Sequence, residues 1–218
     1  MFLGHFGVAM AAKRAAPSVS LGTLVLAVQL ADGLWPIFLL LGIEQVRIVP
    51  GITRVTPLDF VSYPWSHSLV ADAAWAALLA LAYGAWRRNW RAAAWLAALV
   101  LSHWVLDALS HRRDVPVWPG GPKVGAGLWN SLPLTLVAEF VLFGVGAYLY
   151  LRVTRARDRL GTVLFALFVV VLAGLYVASV VGPPPPDVRV LAYSALAGWL
   201  FVAWGYWIDR HRVPAIAV

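Results

Sequence analysis

Five long apolar runs decide what this chain can fold into. Each is long enough to cross the hydrocarbon core of a bilayer as a single helix. The five runs are residues 68–86, 92–111, 131–151, 160–181 and 190–208. A sixth run, 18–43, is interrupted by Gln29, Asp32 and Pro36, and an apolar segment at 2–12 is too short to cross. The runs predict an all-α, polytopic membrane helix bundle with about six transmembrane helices and a short N-terminal helix of half depth.

The composition also indicates an integral membrane protein of one domain, residues 1–218. Hydrophobic residues make up 61% of the chain and charged residues only 12%, whereas soluble domains are roughly half apolar and a quarter charged. The chain has no cysteine, which excludes disulfides, thiol catalysis and thiolate metal sites. The net charge of +7 is typical of basic loops in a membrane protein, and no nucleic-acid partner is expected.

The distribution of Lys and Arg predicts the orientation of the bundle. Eleven of these residues lie on the side that holds the turns near Lys13, Arg88 and Arg155, and six lie on the opposite side. The more basic side is expected to be cytoplasmic, together with the C-terminus. The two longest loops, 44–65 and 112–130, then face outward.

The stretch SHWVLDALSHRRD, residues 102–114, carries ionisable side chains at the end of an apolar run. The spacing of four residues places His103 and Asp107 on one helix face, and His111 follows four residues later. Ionisable groups inside a span are costly and are by default functional. The alternative is a buried hydrogen-bonded pair that only joins helices.

Several other ionisable residues are expected at similar depth. A helical rise of 1.5 Å per residue from each cytoplasmic turn gives heights of roughly 18 Å for His5, 22 Å for Asp32, 21 Å for His103, 24 Å for Glu139, 27 Å for Asp107, and 33 Å for His67 and His111. These groups can share one layer in the outer half of the membrane. Asp59 and Asp114 lie near loops and are expected to be solvated or to cap helices.

Histidines and carboxylates without thiolates are the ligands of hydrolytic metal sites. A metal ion held by them lowers the pKa of a bound water until hydroxide is available near neutral pH. We therefore expect one or more divalent ions. Zinc fits this ligand set, and manganese and iron are alternatives.

Four segments carry a resemblance to a known family: GHFGVAMA, the AD at 31–32, WSHSL, and LSHWVLDALSHRRDVPVWP. In this order they resemble the motifs of bacterial membrane-bound metal-dependent hydrolases, a family that includes LexA-regulated inner-membrane hydrolases and is distantly akin to zinc phospholipase C and fungal zinc nucleases. The resemblance covers about residues 1–140. It implies a bacterial inner membrane location and metal-site roles for His5, Asp32, His67, His103 and Asp107.

The chain departs from that family pattern at two places. After Asp32, the sequence ADGLWP lacks the second acidic residue and the histidine of the family. Before His67, no histidine precedes WSHS, and Ser66 stands where the family usually has threonine. His111 and Glu139 are candidates to replace missing ligands, or to act as general acid or base.

The residues and the resemblance together predict a hydrolase in which metal-bound hydroxide attacks a phosphoester or another ester of a lipid-like substrate. His111 or Glu139 would move the proton. Arg112, Arg113 and Lys123 are candidates to bind an anionic lipid head group. Membrane lipid is thus the expected partner.

Two further hypotheses remain. The intramembrane acids and histidines are also typical of a proton- or metal-coupled transporter that uses them as a relay. Haem binding by paired histidines is disfavoured by the neighbouring carboxylates. Residues 1–151 are expected to form the metal-site core and residues 152–218 two accessory transmembrane helices. The Gly-rich segment 120–131 is either a lid or a plain loop.

Overall fold

The computed structural model describes residues 1–215 of the chain, and helices dominate them. The α-helices are α1 (Leu3–Ala12), α2 (Leu21–Val28), α3 (Leu30–Leu40), α4 (Pro64–His67), α5 (Leu69–Arg87), α6 (Trp90–Ser110), α7 (Leu132–Val153), α8 (Arg159–Val181), α9 (Val188–Leu196) and α10 (Trp199–His211). The short strands are β1 (Gln45–Ile48), β2 (Leu58–Ser62), β3 (Val115–Pro116), β4 (Lys123–Val124), β5 (Thr154–Ala156) and β6 (Arg212–Pro214), and one 3-10 turn covers Leu128–Asn130.

The helices form an all-α polytopic bundle, as the sequence predicts. Five segments are long and apolar enough to span a membrane: α5, α6, α7, α8, and α9 together with α10. Helices α2 and α3 add a sixth, which is bent by 54°. Helix α1 has 10 residues, so it is about 15 Å long and reaches about half the depth of the hydrocarbon core.

The bend in the first span lies at Gln29, before the Asp32–Pro36 segment where the sequence suggests a break. Gln29 has φ −103° and ψ 10°, a conformation between the helical and extended regions. Helical hydrogen bonding resumes when the Gly33 N–H donates to the Gln29 carbonyl at 2.8 Å. Because α3 starts there, Asp32 lies in its first turn, where the helix dipole favours a negative charge.

Polar side chains fix the starts of five helices. Each accepts a hydrogen bond from the backbone N–H three residues later, which satisfies a donor that the helix leaves open. These caps are Ser20, Ser68, Asn89, Asp158 and Asp187. These caps therefore fix the residue at which each of the five helices begins.

The two short helices α1 and α2 lie at the centre of the bundle. Most of their residues are buried, with α1 packed mainly against α7 and α2 against α10. Glycines allow both contacts: a Cβ on Gly146 of α7 would overlap the Gly7 carbonyl of α1, and a Cβ on Gly205 of α10 would meet the Gly22 backbone of α2. Small residues let membrane helices approach this closely.

Loops close one end of the bundle, which we call the capped end (residues 41–63 and 111–131). Strands β1 and β2 form an antiparallel hairpin there, and β3 pairs with β4. The Gly-rich segment 120–131 is anchored on α6, because the Ala126 N–H donates to the Ala108 carbonyl at 2.8 Å and the Gly127 N–H to the His111 carbonyl at 2.7 Å. It thus satisfies carbonyls at the end of α6. Strands β5 and β6 pair at the opposite end.

We predict that Gly146→Ala destabilises the protein by about 1–3 kcal/mol, because the added methyl group forces α1 away from α7. Thermal unfolding in detergent, followed by circular dichroism, measures this. Gly144→Ala is the matched control, since a Cβ at Gly144 of the same helix meets nothing within 4 Å. Equal unfolding temperatures for the two variants would contradict the close packing.

Candidate metal centre

The carboxylate of Asp107 lies at the centre of the polar cluster. Four histidines direct their Nε2 atoms toward it from separate elements. Asp107 Oδ1 lies 3.1 Å from His5 Nε2 of α1. Asp107 Oδ2 lies 3.3 Å from His103, 3.6 Å from His111 and 3.9 Å from His67. The predicted pair of His103 and Asp107 on α6 is therefore part of a larger cluster.

Asp32 of α3 supplies the second carboxylate. Its Oδ1 lies 3.3 Å from His67 Nε2 and 3.8 Å from His103 Nε2. Two sets of three residues each offer ligand atoms within 4.8 Å of one another: His5, His103 and Asp107, and Asp32, His67 and His103. These histidine and aspartate groups can hold a metal ion. The structure thus brings together all five residues predicted as ligands.

Backbone and side-chain acceptors orient two of the histidines. His103 Nδ1 lies 2.7 Å from the Val28 carbonyl at the end of α2, so the bend at Gln29 leaves this acceptor within reach. His67 Nδ1 lies 2.7 Å from Ser66 Oγ, and this hydroxyl donates to Glu44 Oε2 at 2.6 Å. Because both Nδ1 atoms donate to these oxygens, the neutral form of each ring leaves on Nε2 the lone pair that a metal ion would need.

A carboxylate also orients His111 at the end of α6. His111 Nδ1 lies 3.0 Å from Asp114 Oδ1, and burial lowers the pKa of this histidine. Arg112 bridges Asp114 and Asp59. Both aspartates are buried, so the expectation that they are solvated is wrong. Each forms an ion pair with Arg112, and Asp114 also orients the ring of His111.

Imidazole Nε2 atoms and carboxylate oxygens crowd together in the cluster, and two of the pairs, His5 with Asp107 and His67 with Asp32, lie within hydrogen-bond distance. Buried His103 Nε2 has no hydrogen-bond partner in the part of the chain that the structure describes, although Asp107 Oδ2 is 3.3 Å away. The rings of His5 and His103 stack at 3.9 Å with an interplanar angle of 6°, an arrangement that disfavours a positive charge on both. Neutral imidazoles beside carboxylates fit a divalent cation.

Glu139 lies beside the cluster but has backbone partners of its own. Its Oε1 accepts from the Phe2 N–H at 2.9 Å and its Oε2 from the Gly4 N–H at 2.7 Å. This fully buried carboxylate therefore caps the start of α1. The Met1 amino group contacts Asp107 nearby. A role of Glu139 as acid, base or ligand stays a prediction.

The sequence gives no local signal for Glu44, which supports His67 from a distant loop. Its Oε1 accepts from the backbone N–H groups of Trp65 and Ser66 at 2.8 and 2.9 Å, which fixes the turn of α4. Glu44 and Ser66 are 22 residues apart, and only the fold joins them. Asp114 is different, because it follows His111 by three residues and a His-x-x-Asp spacing is visible in the sequence.

The cluster is open on one side to a cavity of about 690 Å³. Asp32, His67, Asp107 and His111 line it, whereas His5 and His103 lie behind them. Aromatic rings of the capped end cover His111: the Trp129 centroid is 4.0 Å from it and the Phe60 centroid 4.7 Å. A ligand can therefore approach the cluster from the cavity, beneath the aromatic cover.

Comparisons of the chain with models of protein families, with curated proteins and with solved structures give no match.

We predict that Ser66→Ala weakens the binding of an added divalent metal ion about 10- to 100-fold, the usual cost of losing a hydrogen-bond partner that orients a ligand. Without the hydroxyl, His67 Nδ1 loses its acceptor and the ring can rotate. Competition with a chromophoric chelator measures the affinity. Ser102→Ala is the control, since Ser102 donates only to the Leu99 carbonyl of its own helix. Unchanged affinity in Ser66→Ala would contradict this orienting role.

Proposed function

We propose that the chain is a metal-dependent hydrolase embedded in the membrane, with His5, Asp32, His67, His103 and Asp107 as its metal ligands. The convergence of imidazole Nε2 atoms and carboxylate oxygens on one point is the main support. A proton relay needs donors that alternate with acceptors along a path. Here His103 Nε2 is buried without a hydrogen-bond partner among residues 1–215, so a relay would be interrupted at the centre of the cluster, which favours a cation over a relay and so the hydrolase over the transporter.

The residues that line the cavity define how a substrate would lie. Asp32, His67, Asp107 and His111 border it, so an ester bond held against them is next to the ligands. When bound, a divalent ion, with zinc as our first candidate, supplies Lewis acidity and activates water near neutral pH. In the hydrolysis that we propose, the oxygen of a water molecule would bond to the phosphorus or carbonyl carbon, the bond to the alcohol oxygen would break, and the alcohol would leave with one proton of that water.

The capped end provides candidate partners for an anionic head group. Arg112 is already paired with Asp59 and Asp114. Arg113 and Lys123 line the same surface depression, and neither forms an ion pair with a carboxylate among residues 1–215. We therefore assign head-group binding to Arg113 and Lys123, and a structural role to Arg112. The positive-inside rule would place this end outside a bacterial inner membrane.

We predict that the wild-type protein binds zinc and that His103→Ala and Asp107→Asn lose it. Their affinity should fall by more than about 100-fold, since loss of an orienting partner alone costs about 10- to 100-fold. Elemental analysis of purified, zinc-reconstituted protein measures the content. His211→Ala is the control, because His211 pairs with Asp158 at the opposite end. A wild-type protein without metal, or equal metal in all variants, would refute the proposed site.

We predict that His111→Ala slows hydrolysis of phosphodiester, phosphomonoester or carboxyl-ester probes by at least about 100-fold. The zinc content of the purified His111→Ala variant distinguishes two possible roles of His111, metal ligand and proton acceptor. If His111 is a ligand, zinc is lost together with activity. If it accepts a proton, zinc is retained while the rate falls by about 10²–10⁴-fold, as on removal of a general base. Full activity of the variant would exclude both roles, and wild-type protein that binds zinc but hydrolyses none of the probes would favour the transporter.

A further inference from the structure

The cavity beside the cluster extends far beyond the polar residues. At one end lie the carboxylates and histidines, and the remaining wall is mainly apolar. Many of its apolar side chains come from three helices: Val171 and Leu175 of α8, Leu191 of α9, and Leu200, Phe201 and Trp204 of α10. The cavity is therefore continuous from its polar end to a long apolar part.

The packing of the last helices explains why this space exists. Helix α8 packs against α10, whereas α9 packs against α3. The segment GPPPPD, residues 182–187, joins α8 to α9 and contains four prolines in a row, which restrict the backbone and prevent a tight helical turn. Small residues at the break between α9 and α10, Ala195, Ala197 and Gly198, line the cavity without filling it.

The apolar lining of the cavity determines which kind of molecule can bind there. An apolar cavity offers water few hydrogen-bond partners, so water gains little by filling it. Its volume of about 690 Å³ lies within the usual range of ligand pockets. Leu175 and Leu200 line the cavity and are 49% and 68% exposed, so the cavity is not sealed at these two residues of membrane-spanning helices. A bilayer supplies hydrocarbon chains at that opening.

We propose that the cavity between α8 and α9–α10 binds one acyl chain of a membrane lipid, entering sideways from the bilayer. The proposal rests on the proposed hydrolase function in one respect: the bound lipid is the substrate, with its ester group at the His/Asp cluster. The substrate is then an amphiphile that keeps its tail in the protein while the ester is cleaved. Water-soluble esters lack the tail and use only the polar end.

The binding test uses the full-length protein in nanodiscs that contain phosphatidylglycerol with a photoreactive diazirine on one acyl chain. Peptide mapping after illumination should locate the label at Val171 and Trp204, which line the cavity and are only partly exposed. Label found only on outward-facing residues of other spans, such as Leu78 and Val145, would overturn the proposal.

A substitution at the cavity wall gives the second test. Ala197→Trp places bulk in the cavity, and Ala197 is exposed, so the helix core is not overpacked. Labelling of Val171 and Trp204, and kcat/KM for a long-chain ester, should each fall at least about 10-fold, the effect of losing a single methylene contact in an apolar pocket. Ala77→Trp, on an exposed position of α5 outside the cavity, is the control and should change neither value.

Labelling of the cavity and hydrolysis of esters test the acyl-chain site and the hydrolase function independently. Cavity labelling without hydrolysis of any probe supports the acyl-chain site and refutes the hydrolase. Hydrolysis with label confined to outer surfaces refutes the acyl-chain site and leaves the hydrolase. Equal loss of long-chain and short-chain ester hydrolysis in Ala197→Trp, with metal retained, would also contradict a site that holds only the tail.

Discussion

A carboxylate buried among apolar helices is the constraint on which the rest of the structure depends. Asp107 is 3% exposed, and an ionised group at such a position is costly unless nearby groups compensate for it. The groups around it are four imidazoles, which arrive from α1, from α4, from α6 itself and from the residue after α6, and the Met1 amino group contacts it as well. Helix α1 begins, and helix α6 ends, close to these side chains in sequence.

Helix α1 illustrates the cost of ending a helix inside the bundle. Its first N–H groups would face hydrocarbon without partners, which the bilayer interior does not tolerate. Glu139 accepts from two of them, and the close contact of Gly7 with Gly146 holds the helix against α7. A single glutamate inside an apolar span thus has a structural explanation that does not require a catalytic role. His5 depends on this arrangement, because it lies in the first turn that Glu139 stabilises.

The spans and the pairing of His103 with Asp107 follow from local patterns in the sequence, namely hydropathy over about 20 residues and a spacing of four. Helical rise also predicts similar heights for His5, Asp32 and His103, and the structure brings these side chains together. The groups that orient His103 and His67 could not be found this way. Val28 offers a backbone carbonyl only because the helix bends at Gln29, and Glu44 reaches Ser66 from a hairpin whose path is set by tertiary packing.

The chain separates the candidate chemistry from the candidate binding surface. Every histidine and carboxylate of the cluster lies between His5 and His111, whereas α8, α9 and α10 contribute most of the apolar cavity wall. These last helices carry no group of the cluster, so their cavity-lining side chains shape the space beside Asp107 without contributing a ligand atom. Substitutions there alter the volume open to a ligand, whereas substitutions among the first helices alter the charge that the cluster presents. Helices α8, α9 and α10, which carry none of the sequence motifs, are thus the ones suited to set ligand selectivity.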